Sequence, residues 1–264
     1  MKDLILFGGQ SNMQGQTEQL SDSSPVQGAW EYRYLTDALI PLADPCGEDI
    51  RSDQTAGYPY SSAVASTWHA DNVLGSACDG HTTLLPAFCR AYRRTCSDHP
   101  DLTAVHAAKG STTLSQWLPG TDGYRLLTAK ASAAAAKSGE IRHRFMVWLQ
   151  GESDAIYKVS SRDYSAMLSE FGHALEKDLS LTRFGIIRVG RFTMDERDLA
   201  IMEAQDQLCR EDPFFLMLTR AASDFCTMPE YRDCMNPYVG GHYSAHGLET
   251  LGTLAGESLA NSIR

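Results

Sequence analysis

The chain has 264 residues, 43% of them hydrophobic and 21% charged, a globular composition long enough to bury a sizeable core and free of tracts biased toward disorder. Its formal net charge of −10 argues against nucleic acid or an anionic membrane surface as a partner, because both require basic patches. The seven cysteines (Cys46, Cys78, Cys89, Cys96, Cys209, Cys226, Cys234) are scattered, with no C-x-x-C pair, so they indicate neither a zinc site nor a disulfide framework and read as small buried hydrophobes.

The first predicted element is the apolar run "LILFGG" (4–9). It is too short for the core of a signal peptide, and no later segment is long enough to span a bilayer, so the chain reads as cytoplasmic. The run ends on two glycines, and Gln10, Ser11 and Asn12 follow at once. The stretch 21–78 has no clear periodicity and much Pro, Gly, Ser and Asp, which predicts a binding loop or lid. Its "WEYRYL" and "GYPYSSAVASTWH", together with Arg33 and Glu48, either line a sugar site or pin the loop to the core. Beyond it come a helix from Leu84, a strand over 103–110, a helix from Tyr124, a strand over 145–152 and a helix from Ser161. A strand over 184–190, a helix from Asp195, a strand over 214–219 and a terminal helix complete the series. Five apolar strands alternating with helices predict an α/β fold of one domain over 1–264. Its layout is a three-layer α/β/α sandwich around a central parallel sheet of about five strands.

In such sheets the ligand lies beyond the carboxyl ends of the strands. The residues there are Gly8 to Asn12, Lys109 to Thr113 and Gln150 to Asp154, polar clusters that are costly to bury unless used. A serine between a first strand and a helix exposes its hydroxyl and aims its own N–H where an oxyanion would form; it could equally be a plain helix cap. "GGQSNMQG" is neither a phosphate loop nor a G-x-S-x-G elbow. His242 and His246 are spaced i, i+4 but come without an H-E-x-x-H motif or a carboxylate cluster, so no metal or cofactor is called for.

Four polar blocks follow one another along the chain: Gly9-Gln10-Ser11-Asn12-Met13, Gly110-Ser111-Thr112, Trp148 through Asp154, and His242-Tyr243-Ser244 with Gly247. Together they resemble the SGNH hydrolase superfamily, flavodoxin-like in fold, and within it the branch of carbohydrate acetylesterases and sialate O-acetylesterases. The resemblance implies Ser11 as nucleophile and His242 as general base. It implies the Ser11 and Gly110 N–H groups and the Gln150 side chain as oxyanion donors. Gln10, Asn12, Gln116 and Trp117 are candidate substrate contacts, with Tyr124 a further one; Gln10 and Asn12 could also fix the turn that aims Ser11, and Trp117 could equally pack its loop on the sheet.

One position departs from the family. An aspartate commonly stands three residues before the histidine to hold its tautomer, and here Val239 cannot do so. Glu152 could replace it; a backbone carbonyl near Val239 or Gly240 could leave a Ser-His dyad; or Asp224 or Asp233 could fold back. The implied activity is hydrolysis of O-acetyl esters on plant polysaccharide fragments or sialic acid through an acetyl-enzyme. An SGNH lipase or thioesterase, or an idle carbohydrate-binding protein, is the alternative. The substrate is a small molecule or oligosaccharide, and the sequence names neither the sugar, the acetyl position nor the oligomeric state.

Overall fold

Apolar residues on both faces of a strand require a sheet covered on both sides, and the computed structural model, which describes residues 1–15, 17, 24–48 and 82–263, has that build. Seven strands, β1 (Lys2–Gly9), β2 (Ala29–Arg33), β3 (Ala38–Pro41), β4 (Asp101–Ala108), β5 (Ile141–Leu149), β6 (Arg183–Ile187) and β7 (Phe215–Thr219), form one sheet in the order β3-β2-β4-β1-β5-β6-β7. All neighbours run parallel except β2 and β3. In β1, Leu4 and Leu6 join the core on one face while Ile5 and Phe7 join the core on the other.

The helices between the strands are α1 (Ser11–Gln14), α2 (Leu85–Thr95), α3 (Asp122–Ser138), α4 (Glu152–Ile156), α5 (Ser161–Leu179), α6 (Glu196–Glu211), α7 (Ala221–Thr227) and α8 (Ala245–Ser262). Leu127 of α3, Phe171 of α5 and Ile201 of α6 pack on one face of the sheet. Phe88 of α2, Phe225 of α7 and Leu251 of α8 pack on the other. The result is a three-layer α/β/α sandwich. Among the described residues no helix is long and apolar enough to cross a membrane.

The sheet exceeds the expected five strands by β2 and β3, which lie inside the stretch read as a loop. β2 carries a charged residue at a core position, Glu31, and that charge is buried. Glu31 is fully buried, accepts the Gly47 N–H at 2.6 Å and pairs with Arg33 at 3.2 Å. Glu48 accepts the Tyr34 N–H at 2.7 Å and pairs with Lys130 of α3 at 2.7 Å. Tyr32 is buried with its hydroxyl on Asp37. These groups tie the 29–48 segment to the sheet, the reading in which they pin the loop to the core. The rest of the expected lid, "GYPYSSAVASTWH" included, lies outside the described residues.

Candidate active site

The site begins where β1 stops. A Cβ on Gly9 would stand 1.9 Å from the Leu149 carbonyl oxygen, so only glycine lets β1 approach β5 this closely and turn. The Gln10 N–H then donates to that same carbonyl at 3.2 Å, and Ser11 opens α1. As a first-turn residue, Ser11 has an N–H with no acceptor inside its own helix.

His242 arrives from the far end of the chain. Its Nε2 lies 2.8 Å from Ser11 Oγ and its Nδ1 lies 3.0 Å from the Gly240 carbonyl oxygen. A carbonyl only accepts, so Nδ1 carries the proton and Nε2 keeps its lone pair, into which the serine hydroxyl donates. That is the tautomer a general base needs. The Phe192 ring meets the imidazole edge-on, with centroids 6.0 Å apart at 81°.

The loop carrying His242 is held by hydrogen bonds within itself. Asn236 Oδ1 accepts the Tyr238 and Val239 N–H groups at 2.8 and 3.2 Å. The Asn236 N–H donates to the His242 carbonyl at 2.9 Å, and the His242 N–H donates to the Val239 carbonyl at 3.3 Å. Ser244 then caps α8 by accepting the Gly247 N–H. Val239 thus contributes its backbone, while its side chain is exposed.

The remaining predicted residues are held by partners of their own. Glu152, at the start of α4, makes no hydrogen bond to His242; its Oε1 accepts from Asn12 Nδ2 at 2.7 Å. Burial pushes its carboxyl above the ordinary carboxylate range, and the charges of Asp154 and Asp198 push the same way. Asn12 is buried and accepts the Tyr243 N–H at 3.1 Å. Gln10 is buried and accepts the Ser153 N–H at 3.2 Å. Both brace the turn around Ser11 against the segments at 152–153 and 243.

Gln150 is fully buried, its Nε2 engaged with Asp154 Oδ2 and the Thr112 carbonyl and its Oε1 with the Tyr164 hydroxyl. The Gly110 N–H donates to Gln14 Oε1 at 2.9 Å and is occupied. Trp117 is core, edge-on to Trp148 at 5.5 Å, with its indole N–H on Thr112. Gln116 is exposed and accepts the Thr113 N–H, closing a capping box on the short turn Leu114–Trp117. Tyr124 is buried with its hydroxyl on Asp178.

Asp224 and Asp233 make no hydrogen bond to His242 among the described residues. Asp233, Cys234 and His246 bring ligand-type atoms within 4.8 Å of one another. Burial pushes the Cys234 thiol up to about 11, which opposes the thiolate that metals bind. Sequence reasoning missed Gln14, Phe192 and Asn236; only the Asn236-Pro237 dipeptide, a turn initiator, carried a signal.

Comparison with known proteins agrees with this architecture. A family model described as carbohydrate esterase, sialic acid-specific acetylesterase, matches residues 1–224. A solved protein from Arabidopsis thaliana superposes with a TM-score of 0.67 at 17% identity, covering 98% of both chains. The structure of NanS does so with 0.63 at 15%, covering 99% of this chain and 96% of that one. A carbohydrate acetylesterase from Xanthomonas citri gives 0.54 at 12%, covering 98% of this chain and 57% of its own. At these identities the structural likeness speaks to the fold. No curated protein gives a significant sequence match.

Proposed function

The chain belongs to the carbohydrate esterase family of sialic acid-specific acetylesterases, and from that premise we propose that it hydrolyses O-acetyl esters on carbohydrates through an acetyl-enzyme on Ser11. The carrying observation is the 2.8 Å contact between Ser11 Oγ and His242 Nε2, with Nδ1 already satisfied by the Gly240 carbonyl. This favours a Ser-His dyad with a main-chain acceptor in place of an acid.

Ser11 Oγ attacks the acetyl carbon as His242 Nε2 takes its proton. The oxyanion forms beside the Ser11 N–H at the start of α1, and the Gly110 N–H joins when Gln14 gives it up. The tetrahedral adduct collapses, the C–O bond to the sugar breaks, and the sugar oxygen leaves with the proton from His242. Water then attacks the acetyl-enzyme with His242 again as base, releasing acetate and restoring Ser11. Plant polysaccharide fragments and O-acetylated sialic acid are the substrate classes in view.

Acetate release from acetylated xylan and mannan fragments and from 9-O-acetyl sialic acid tests the reading. Wild type should release acetate from at least one, Ser11→Ala from none, and activity on simple esters should fall steeply beyond acetate. A preference for long acyl chains would move the protein to the lipases.

A further inference from the structure

Glu152 and Asn12 together form a device that the reaction scheme above does not use. The Asn12 amide is buried beside the nucleophile and touches the main chain on both sides of His242. Its Oδ1 accepts the Tyr243 N–H at 3.1 Å, and its Nδ2 faces the Gly241 carbonyl at 3.4 Å. An amide suits this bracket because it carries one donor end and one acceptor end. Rotated by half a turn, it would set donor against the Tyr243 N–H and oxygen against the Gly241 carbonyl. The second bond of Nδ2, to Glu152 Oε1 at 2.7 Å, rewards only the correct sense.

The other oxygen of Glu152 is buried and has no hydrogen-bond partner, and among the described residues no cation pairs with this carboxyl. An ionised group left half unsatisfied in a dry site is costly; a neutral acid that accepts through Oε1 leaves one hydroxyl unpaired, a smaller cost than an unpaired charge. Glu152 reaches Asn12, while the His242 ring reaches Gly240 and Ser11, so the carboxyl's link to the base runs through the amide.

We infer that Glu152 is a positioning residue that acts through Asn12, fixing the sense of the amide that brackets His242 and thereby holding Nε2 against Ser11 Oγ. The inference rests on the esterase reading for its kinetic consequence and on geometry alone for the clamp itself.

Three variants test it. Glu152→Leu removes the acceptor, Asn12→Asp removes the donor but keeps an acceptor for the Tyr243 N–H, and Glu152→Gln keeps the acceptor oxygen while abolishing ionisation. Misplacing the base by a fraction of an ångström should lower kcat by ~10- to 100-fold in the first two at little changed KM. Glu152→Gln should restore kcat to within about threefold of wild type. Equal damage in the Gln and Leu variants would mean that charge matters and would overturn the inference, as would full activity in the Leu variant. If the Leu variant fails to fold, the Gln and Asp variants still decide. Side-chain amide exchange of Asn12 by NMR reads the clamp independently of turnover: protected in wild type and Glu152→Gln, fast in Glu152→Leu. A wild type that releases no acetate yet protects this amide would sink the esterase reading and leave the clamp standing. An unprotected Asn12 amide in wild type would sink the clamp.

Discussion

Replacing Gly9 with alanine should damage both stability and chemistry, by amounts the backbone fixes. Gly9 has φ of 148°, a region side chains rarely adopt, and holding alanine there costs ~1–3 kcal/mol. The new Cβ would lie 1.9 Å from the Leu149 carbonyl oxygen, where real contacts start near 3.0 Å, so β1 and β5 must part by the difference, 1.1 Å. Overpacking of this kind costs ~1–3 kcal/mol more. The sum, ~2–6 kcal/mol, is a large share of the ~5–15 kcal/mol that holds an ordinary domain together. Ser11 lies two residues beyond the clash, and a 1 Å displacement of a nucleophile costs ~100-fold in rate. Urea unfolding and acetate release, both at a temperature where the variant is folded, measure the two effects. Gly139→Ala is the control, since φ there is 80° and a Cβ would meet nothing within 4 Å; it should lose only the backbone component and no activity. A Gly9→Ala protein within about 0.5 kcal/mol of wild type, with full activity, would refute the reasoning.

Other outcomes follow from the same geometry. Val239→Asp should change acetate release by less than about tenfold, far from the ~10⁴ associated with an aspartate in a triad built around one, because Nδ1 already has the Gly240 carbonyl; steady-state kinetics decides. Trp117→Ala should cost ~3–5 kcal/mol in urea unfolding as a core deletion, and the more conservative Trp117→Phe should leave KM unchanged if this ring never meets the sugar. Burial raises the Glu31 carboxyl from 4.5 to about 7, with Arg33 and Lys130 opposing. A raised acid stabilises the fold fully below 4.5 and loses that contribution as pH climbs through 7, on the order of 3 kcal/mol in all. Unfolding free energies from about pH 5 to 8 should therefore fall less in Glu31→Gln than in wild type.

The centre of the sheet was legible because strands apolar on both faces have few other places to go. β1, β4 and β5 announced themselves in this way, and their carboxyl ends pointed to the site. β2 and β3 were hidden because Glu31 occupies a core position that only partners distant in sequence make tolerable. Ser11 and His242 could be picked out from the motif blocks, and the fold brings them to 2.8 Å. Gln10 and Asn12 could not be sorted, since a polar side chain beside a nucleophile looks the same whether it faces substrate or a partner 140 residues away. The burial of Gln150 and Trp117 was hidden for a related reason, as it depends on what packs over them. The Gly240 carbonyl could be named only as one of three possible partners, because every residue carries the same group and only the turn built on Asn236 aims this one.

The most direct measurement is a rapid acid quench of wild type with 4-nitrophenyl acetate, followed by peptide mass spectrometry. The account predicts a burst of nitrophenol, an acetyl group on Ser11, and neither in Ser11→Ala. An acetyl group on another residue, or acetate released at the wild-type rate by Ser11→Ala, would contradict it.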